Sequence, residues 1–275
     1  MRIGITERGD AGRDYGWYEK CHDRQVDGAV LITKSITQGM GERVLALLHE
    51  GFPLVIHVGC TGWGGSWLEP GAFTPDRQLA ATRALIDNGF PARNLVLRTD
   101  PVIPTDEGIE RVKLVLDKAF AMGIIGGSES ARLRFSIMDE YRHVKQRLIA
   151  SGHQPFYGPN DFQCSRNAKD GVIATLGNWR MDTLIAHPGA NLPKFESCGE
   201  DPALVERKGV FADQFEVMGC ISNKDLHLMG LPEVTGDATN PQGRQFCRCL
   251  SCKTELLEHK HPCKNACLYC YWRNQ

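Results

Sequence analysis

Short runs of β-branched and apolar residues alternate along the chain with longer segments in which apolar positions recur every three to four residues. Residues 2–6 (RIGIT), 29–33 (AVLIT), 54–58 (LVIHV), 94–99 (NLVLRT), 133–137 (LRFSI), 172–176 (VIATL) and 183–186 (TLIA) have the continuous apolar character of buried parallel strands. Segments 35–50, 76–88, 107–121 and 139–151 carry helical spacing, with Thr105 and Asp106 placed to cap the third. Strand–helix alternation predicts a parallel sheet with right-handed crossovers, and seven or eight strands point to a TIM-type (β/α) barrel over an open doubly wound sheet. The rhythm breaks near Pro193, where Gly, Pro and Cys punctuate the chain. Residues 1–192 are therefore read as the α/β barrel body and 193–275 as a Cys-rich C-terminal segment packed on it.

At 275 residues, the length suits one such barrel, and 42 % hydrophobic with 24 % charged residues excludes the disordered and membrane classes. The net charge of −1 removes any global basic field that would draw the protein to nucleic acid. With no signal-like start and no apolar stretch of membrane-spanning length, a cytoplasmic protein without a membrane partner is expected. The cysteines change this picture. There are eleven, and Cys247, Cys249, Cys252, Cys263, Cys267 and Cys270 fall within the final 29 residues. In a reducing compartment such crowding means metal or redox chemistry before disulfides.

Residues 263–270 (CKNACLYC) read C-x3-C-x2-C with an aromatic residue before the last cysteine. A cubane iron-sulfur cluster has four irons and ordinarily takes four thiolates, so three thiolates leave one iron open. The motif resembles that of radical S-adenosylmethionine (SAM) enzymes. That resemblance implies a 4Fe-4S cluster on Cys263, Cys267 and Cys270, SAM chelating the open iron, Tyr269 against its adenine end, and an external reductant such as flavodoxin or ferredoxin. In those enzymes the motif follows the first barrel strand, whereas here only five residues follow Cys270. If residues 254–258 (TELLE) form the last strand, the loop still leaves a strand's C-terminal end, where barrel sites are built, and the barrel is a partial or circularly permuted one. Two other readings stay open. The cysteines are half of a zinc site completed by Cys247, Cys249, Cys252, His259 or His261 in a non-catalytic interaction protein, although zinc ribbons pair two C-x2-C motifs. Alternatively, a cluster with a fourth protein ligand serves only electron transfer or redox sensing.

A second resemblance rests on blocks along the whole chain. They are residues 61–65 (TGWGG) with 68–70 (LEP), 97–101 (LRTDP), 135–141 (FSIMDEY), 198–200 (CGE), 219–221 (GCI), 247–249 (CRC) and 263–271. In order and spacing they resemble a bacterial and phage family catalogued as a domain of unknown function, noted for a C-terminal cysteine cluster like the radical SAM one. The family brings no activity with it. Its phage-borne members suggest a nucleotide or nucleic-acid base as the unidentified substrate, which the net charge does not support.

Gly64, Gly65, Glu69 and Pro70 look like a stretched form of the glycine-glycine-glutamate-proline segment that binds the methionine amine of SAM, or are a plain Gly-rich loop. Arg98, Asp100, Ser136 and Asp139 fall at strand ends on the expected site face, where an Arg clamps a carboxylate or phosphate and an Asp orients a hydroxyl or amine. The bland alternative is an Arg–Asp pair closing the mouth. Cys198, Cys220, Cys247 and Cys249 are enough for an auxiliary cluster, or are partly small buried apolar residues. Cys21, Cys60 and Cys164 are read as ordinary thiols, and His57 and His187 as hydrogen-bonded core or rim histidines. Arg142, His143, Lys145 and Arg147 are read as a solvated helix face.

Overall fold

Hydroxyl side chains start the principal helices of the computed structural model, which describes residues 1–206, 213–234, 246–257 and 263–273. Thr37 accepts the Met40 amide at the start of α2 (Gln38–His49), and Thr74 accepts that of Arg77 before α3 (Pro75–Asp87). Thr105 accepts Gly108 before α4 (Asp106–Ala121), as expected, and Ser165 accepts Ala168 before α6 (Arg166–Ala186). The remaining helices are α1 (Gly16–His22), α5 (Arg142–Ala150), α7 (Pro202–Val205) and α8 (Asn223–Leu228). No helix among the described residues is long and apolar enough to cross a membrane.

Eight parallel strands form one sheet: β1 (Ile3–Ile5), β2 (Gly28–Thr33), β3 (Leu54–Gly59), β4 (Leu95–Arg98), β5 (Arg132–Phe135), β6 (Phe195–Ser197), β7 (Phe215–Val217) and β8 (Lys253–Glu255). Their order is β7-β6-β5-β4-β3-β2-β1-β8. Ile3 of β1 lies opposite Gly28 on one side and Lys253 on the other, so the last strand pairs with the first. Sequential order with no reversal excludes the doubly wound alternative. Among the described residues nothing pairs β7 with β8, so the closure expected of a complete barrel is absent and the sheet is open.

Two expected strands are not strands. Residues 172–176 and 183–186 lie inside α6, a helix of 21 residues whose buried positions Val172, Ile173, Leu176, Gly177 and Trp179 follow a 3.6-residue period. The sheet is completed instead by the three-residue β6 and β7, beyond Pro193, so three of the eight strands belong to the Cys-rich segment.

Period-2 alternation gives the sheet two different faces. One is apolar: Leu31, Ile56, Leu97, Leu133, Phe135, Phe195 and Phe215 pack against Met40, Leu79, Val115, Leu116, Ile173 and Trp179 from the helices. On the other, Ile3, Ile5, Val30, Val55 and Val96 meet Ile221, Leu226, Met229 and Leu250 from the segment between β7 and β8. That face also buries charge. Arg132 donates to both Glu196 oxygens at 2.7 and 2.9 Å and to Asp225 at 2.6 Å, and Arg134 donates to Glu196 at 2.6 and 3.0 Å. His57 sits wholly buried between Arg98 and Arg134, 3.4 Å from each, which bears out its reading as a core histidine.

Candidate functional site

The C-terminal ends of the strands open into a cavity of about 770 Å³. The exits of β1 and β2 contribute Asp10 and Lys34, that of β4 Arg98 and Asp100, and that of β5 Ser136 and Asp139. Cys198 and Cys220 stand just past β6 and β7, Cys247 and Cys249 just ahead of β8, and the wall is completed by Cys263, Cys267, Tyr269 and Cys270. All seven cysteines proposed as metal ligands thus face one space, and all are free thiols.

The loop bearing Cys263, Cys267 and Cys270 is seated by polar groups from distant parts of the chain. The Gly71 amide donates to the Asn265 carbonyl at 3.0 Å, and the Leu268 amide to the Leu68 carbonyl at 2.9 Å. A side chain at Gly71 would run into the Lys264 carbonyl, so the two backbones meet there because residue 71 has no Cβ. Asn265 donates to buried Asp10, which also accepts the Thr33 hydroxyl at 2.7 Å and the Lys34 amide at 2.6 Å. From α5, Arg147 donates to the carbonyls of Leu268, Cys270 and Arg273 at 2.6, 2.9 and 2.6 Å. His143 Nε2 lies 3.1 Å from the Tyr271 carbonyl. Underneath, Trp63, Leu68, Ile103, Val144 and Leu148 pack against Cys267, Leu268 and Tyr269.

The solvated face expected for α5 holds at exposed Arg142 but is corrected at two positions. Lys145 and Arg147 are buried, because loop carbonyls without a helix or strand partner need donors. Lys145 pairs with Glu140 at 3.2 Å and reaches the Tyr157 carbonyl at 3.3 Å.

Glu69 is buried and its Oε1 accepts from Thr61 at 2.6 Å, from Lys34 at 3.0 Å and from the Tyr269 hydroxyl. Gly64 and Gly65 form the turn that presents it: Gly65 has φ 76° and its amide donates to the Glu69 carbonyl at 3.0 Å. Neither glycine lines the cavity, and their loop follows β3. Burial opposes the Lys34 ammonium, but Glu69 and Cys267 keep its pKa above the ordinary lysine value. Arg98 donates to Asp100, which also accepts the Ser136 hydroxyl. Burial works against the Asp100 carboxylate, yet Arg98 and Ser136 hold its pKa below the usual one. Asp139 takes a hydrogen bond from Gln163 at 2.8 Å. Arg98, Asp100 and Ser136 are thus one connected group, with Asp139 further along the same wall.

The sulfurs of Cys198, Cys220 and Cys249 lie within 4.8 Å of one another. The Cys198 and Cys220 sulfurs are 2.8 Å apart, the Cys220 amide donates to the Cys249 sulfur at 3.1 Å, and Cys247 lines the same cavity beside them. Gly219 permits this approach, since a Cβ there would meet the Arg248 carbonyl. The neighbouring thiol of Cys249 pulls Cys247 down to about 6, whereas burial pushes Cys263 up to about 11. Burial also raises Cys21 and Cys60 to about 12, as befits inert core thiols. His259 and His261, the alternative zinc ligands, lie outside the described residues.

A family model described as "Domain of unknown function (DUF1848)" matches residues 15–272. The chain belongs to this family. No curated protein matches it. In this DUF1848 chain, sequence patterns miss Asp10, Lys34, Arg147 and Asn265, whose importance comes from contacts over 24 to 255 positions. Only Asn265 carried a cue, being inside the C-x3-C-x2-C motif.

Proposed function

We propose that the protein is a radical SAM enzyme whose cluster is held by Cys263, Cys267 and Cys270. The observation that carries this reading is the place of the cysteine loop: it follows β8, an edge strand of an open parallel sheet, and opens onto the cavity at the strands' C-terminal ends. Counted from β8, the strands run in simple order to β7, an order that supports reading the sheet as a partial barrel circularly permuted so that its cluster-bearing first strand comes last. The thiols suit the group: three free cysteines on one short loop line the cavity, and Arg147 and Asn265 hold the loop's backbone while the sulfurs remain available.

When bound, a 4Fe-4S cluster with one open iron supplies the electron that cleaves SAM to methionine and a 5′-deoxyadenosyl radical, which abstracts hydrogen from the substrate. The chain's own residues orient and enclose. Tyr269, fixed through its hydroxyl to Glu69, offers a ring that cannot swing away, and Lys34 stands 5.5 Å over that ring as a cation for a carboxylate. Glu69 acts through Lys34 and Tyr269, since its Oε1 is taken by three donors. Arg98, held by Asp100, faces the cavity with a planar guanidinium suited to a carboxylate or phosphate. Ser136 and Asp139 supply hydroxyl and carboxylate for a ribose or an amine. The substrate is a small molecule or an extruded base that fits about 770 Å³ together with SAM.

The test is anaerobic purification with iron and sulfide analysis, then dithionite reduction with SAM and chromatography for 5′-deoxyadenosine. The expected result is a brown protein that accumulates 5′-deoxyadenosine only with Cys263, Cys267 and Cys270 all intact. A colourless protein that leaves SAM untouched overturns the proposal.

A further inference from the structure

We infer that Cys198, Cys220 and Cys249, with Cys247 as fourth ligand, hold a single thiolate-bound metal ion, zinc or ferrous iron, which clasps the open seam of the sheet. The inference is independent of the radical SAM reading, because it uses none of the C-terminal triad.

Spacing distinguishes one ion from a cluster. Four sulfurs at about 2.3 Å from a tetrahedral ion stand about 3.8 Å from each other. The three sulfurs here, at 2.8 Å for the closest pair and all within 4.8 Å, bracket that separation. In a cubane each thiolate binds a different iron, so the sulfurs are held apart by the cluster's width. Among the described residues this closeness is met at Cys198, Cys220 and Cys249 and not at Cys263, Cys267 and Cys270. Cys247, two residues from Cys249 and on the same cavity wall, supplies the fourth sulfur by turning its side chain toward the other three.

The surroundings suit a buried anionic centre. Four thiolates on a divalent ion leave a net charge of −2, and the Arg98 guanidinium lies 4.0 Å from the Cys220 sulfur. Arg134 donates to the Cys220 carbonyl at 2.9 Å, and the Cys220 amide already points at the Cys249 sulfur, as backbone amides do around metal thiolates.

The position gives the site its role. Cys198 and Cys220 end β6 and β7 at one edge of the sheet, and Cys247 and Cys249 precede β8 at the other. No strand pairing joins these edges among the described residues, but the Leu250 amide donates to the Ile221 carbonyl at 3.1 Å across the gap. An ion there closes with coordination bonds what backbone pairing leaves open, and it also forms part of the cavity wall beside Arg98.

The experiment uses the full chain with the triad removed (C263A/C267A/C270A), purified anaerobically, stripped of metal under reducing conditions and titrated with Co²⁺. One Co²⁺ per chain is expected, with thiolate-to-cobalt charge-transfer absorption and the visible bands of tetrahedral coordination; Zn²⁺ displaces it, and adding C220S weakens binding at least about 100-fold. Four irons with matching sulfide in the triad variant as isolated, or no Co²⁺ bound, overturns the inference. Should the triad variant not fold, X-ray absorption on the wild-type protein decides. An ion with only sulfur neighbours and no nearby second metal, in excess of the cluster's iron, supports the clasp; its absence sinks it. Failure of the radical SAM reading would show instead as absent 5′-deoxyadenosine, with the cobalt titration unchanged.

Discussion

Every backbone carbonyl in the cysteine loop that lacks a helix or strand partner needs a donor, and one guanidinium, Arg147, serves three of them. Replacing it by methionine keeps much of the volume but leaves those carbonyls unsatisfied, at a cost of about 1–3 kcal/mol. R147M is therefore expected to lower the thermal midpoint and to speed amide exchange across residues 263–273 while the strands stay protected. Its role was hidden in the sequence, because a run of basic residues on a helix looks the same whether it faces water or a folded-back loop. His57 yields a second expectation. Burial, with Arg134 and Arg98 close by, lowers its pKa to about 4 from an unfolded value of 6.5. On acidification the unfolded chain takes this proton first, so stability falls between about pH 6.5 and 4, by on the order of 3 kcal/mol in all. Glu196, brought down to about 2 by Arg134 and Arg132 against its burial, adds a further loss between about pH 4.5 and 2. Urea melts of H57N across this range should show the first loss removed and the second retained.

Among the elements, α2, α3 and α4 were legible because each carries an apolar stripe, α4 with its Thr105 cap besides; the caps Thr37 and Thr74 of the other two emerge only in the structure. In α6 the runs VIATL and TLIA have strand composition, and only the wider spacing of Val172, Leu176 and Trp179 marks a helix. β6 and β7 are three residues long, too short for any periodicity, and pairing makes them strands, β6 against β5 and β7 against β6. The motif loop was legible as a cysteine cluster but not in its seat. Gly71 tests that seat: G71A drives a methyl group into the Lys264 carbonyl. The expected outcome is an unchanged circular dichroism spectrum with faster labelling of Cys263, Cys267 and Cys270 by a thiol reagent. Unchanged labelling would show that the loop does not depend on this approach.

Across the whole molecule, the apolar face of the sheet provides the core, and the other face buries a charged network that reaches the cavity through His57 and Arg98. Glu196 is the hub of that network, bound by Arg132 and Arg134 and by Lys224 at 2.9 Å. E196Q leaves buried guanidinium groups undercompensated and should cost about 3–5 kcal/mol, read as a lower urea midpoint with an unchanged slope. A parallel sheet was foreseeable from repeated strand–helix units, although two of the strands counted for it lie in α6; whether its edges met was not, because that is decided by contacts between β7 and the approach to β8 that no local pattern shows. The placement of the last strand beside the first has a consequence for how the protein matures. In a chain made from its N-terminus, Asp10, Lys34, Glu69, Gly71 and Arg147 leave the ribosome well before Cys263 is translated. The receptor for the cysteine loop can thus be folded before its thiols arrive, and seating of loop 263–270 becomes a late step of assembly, set by the order of synthesis itself.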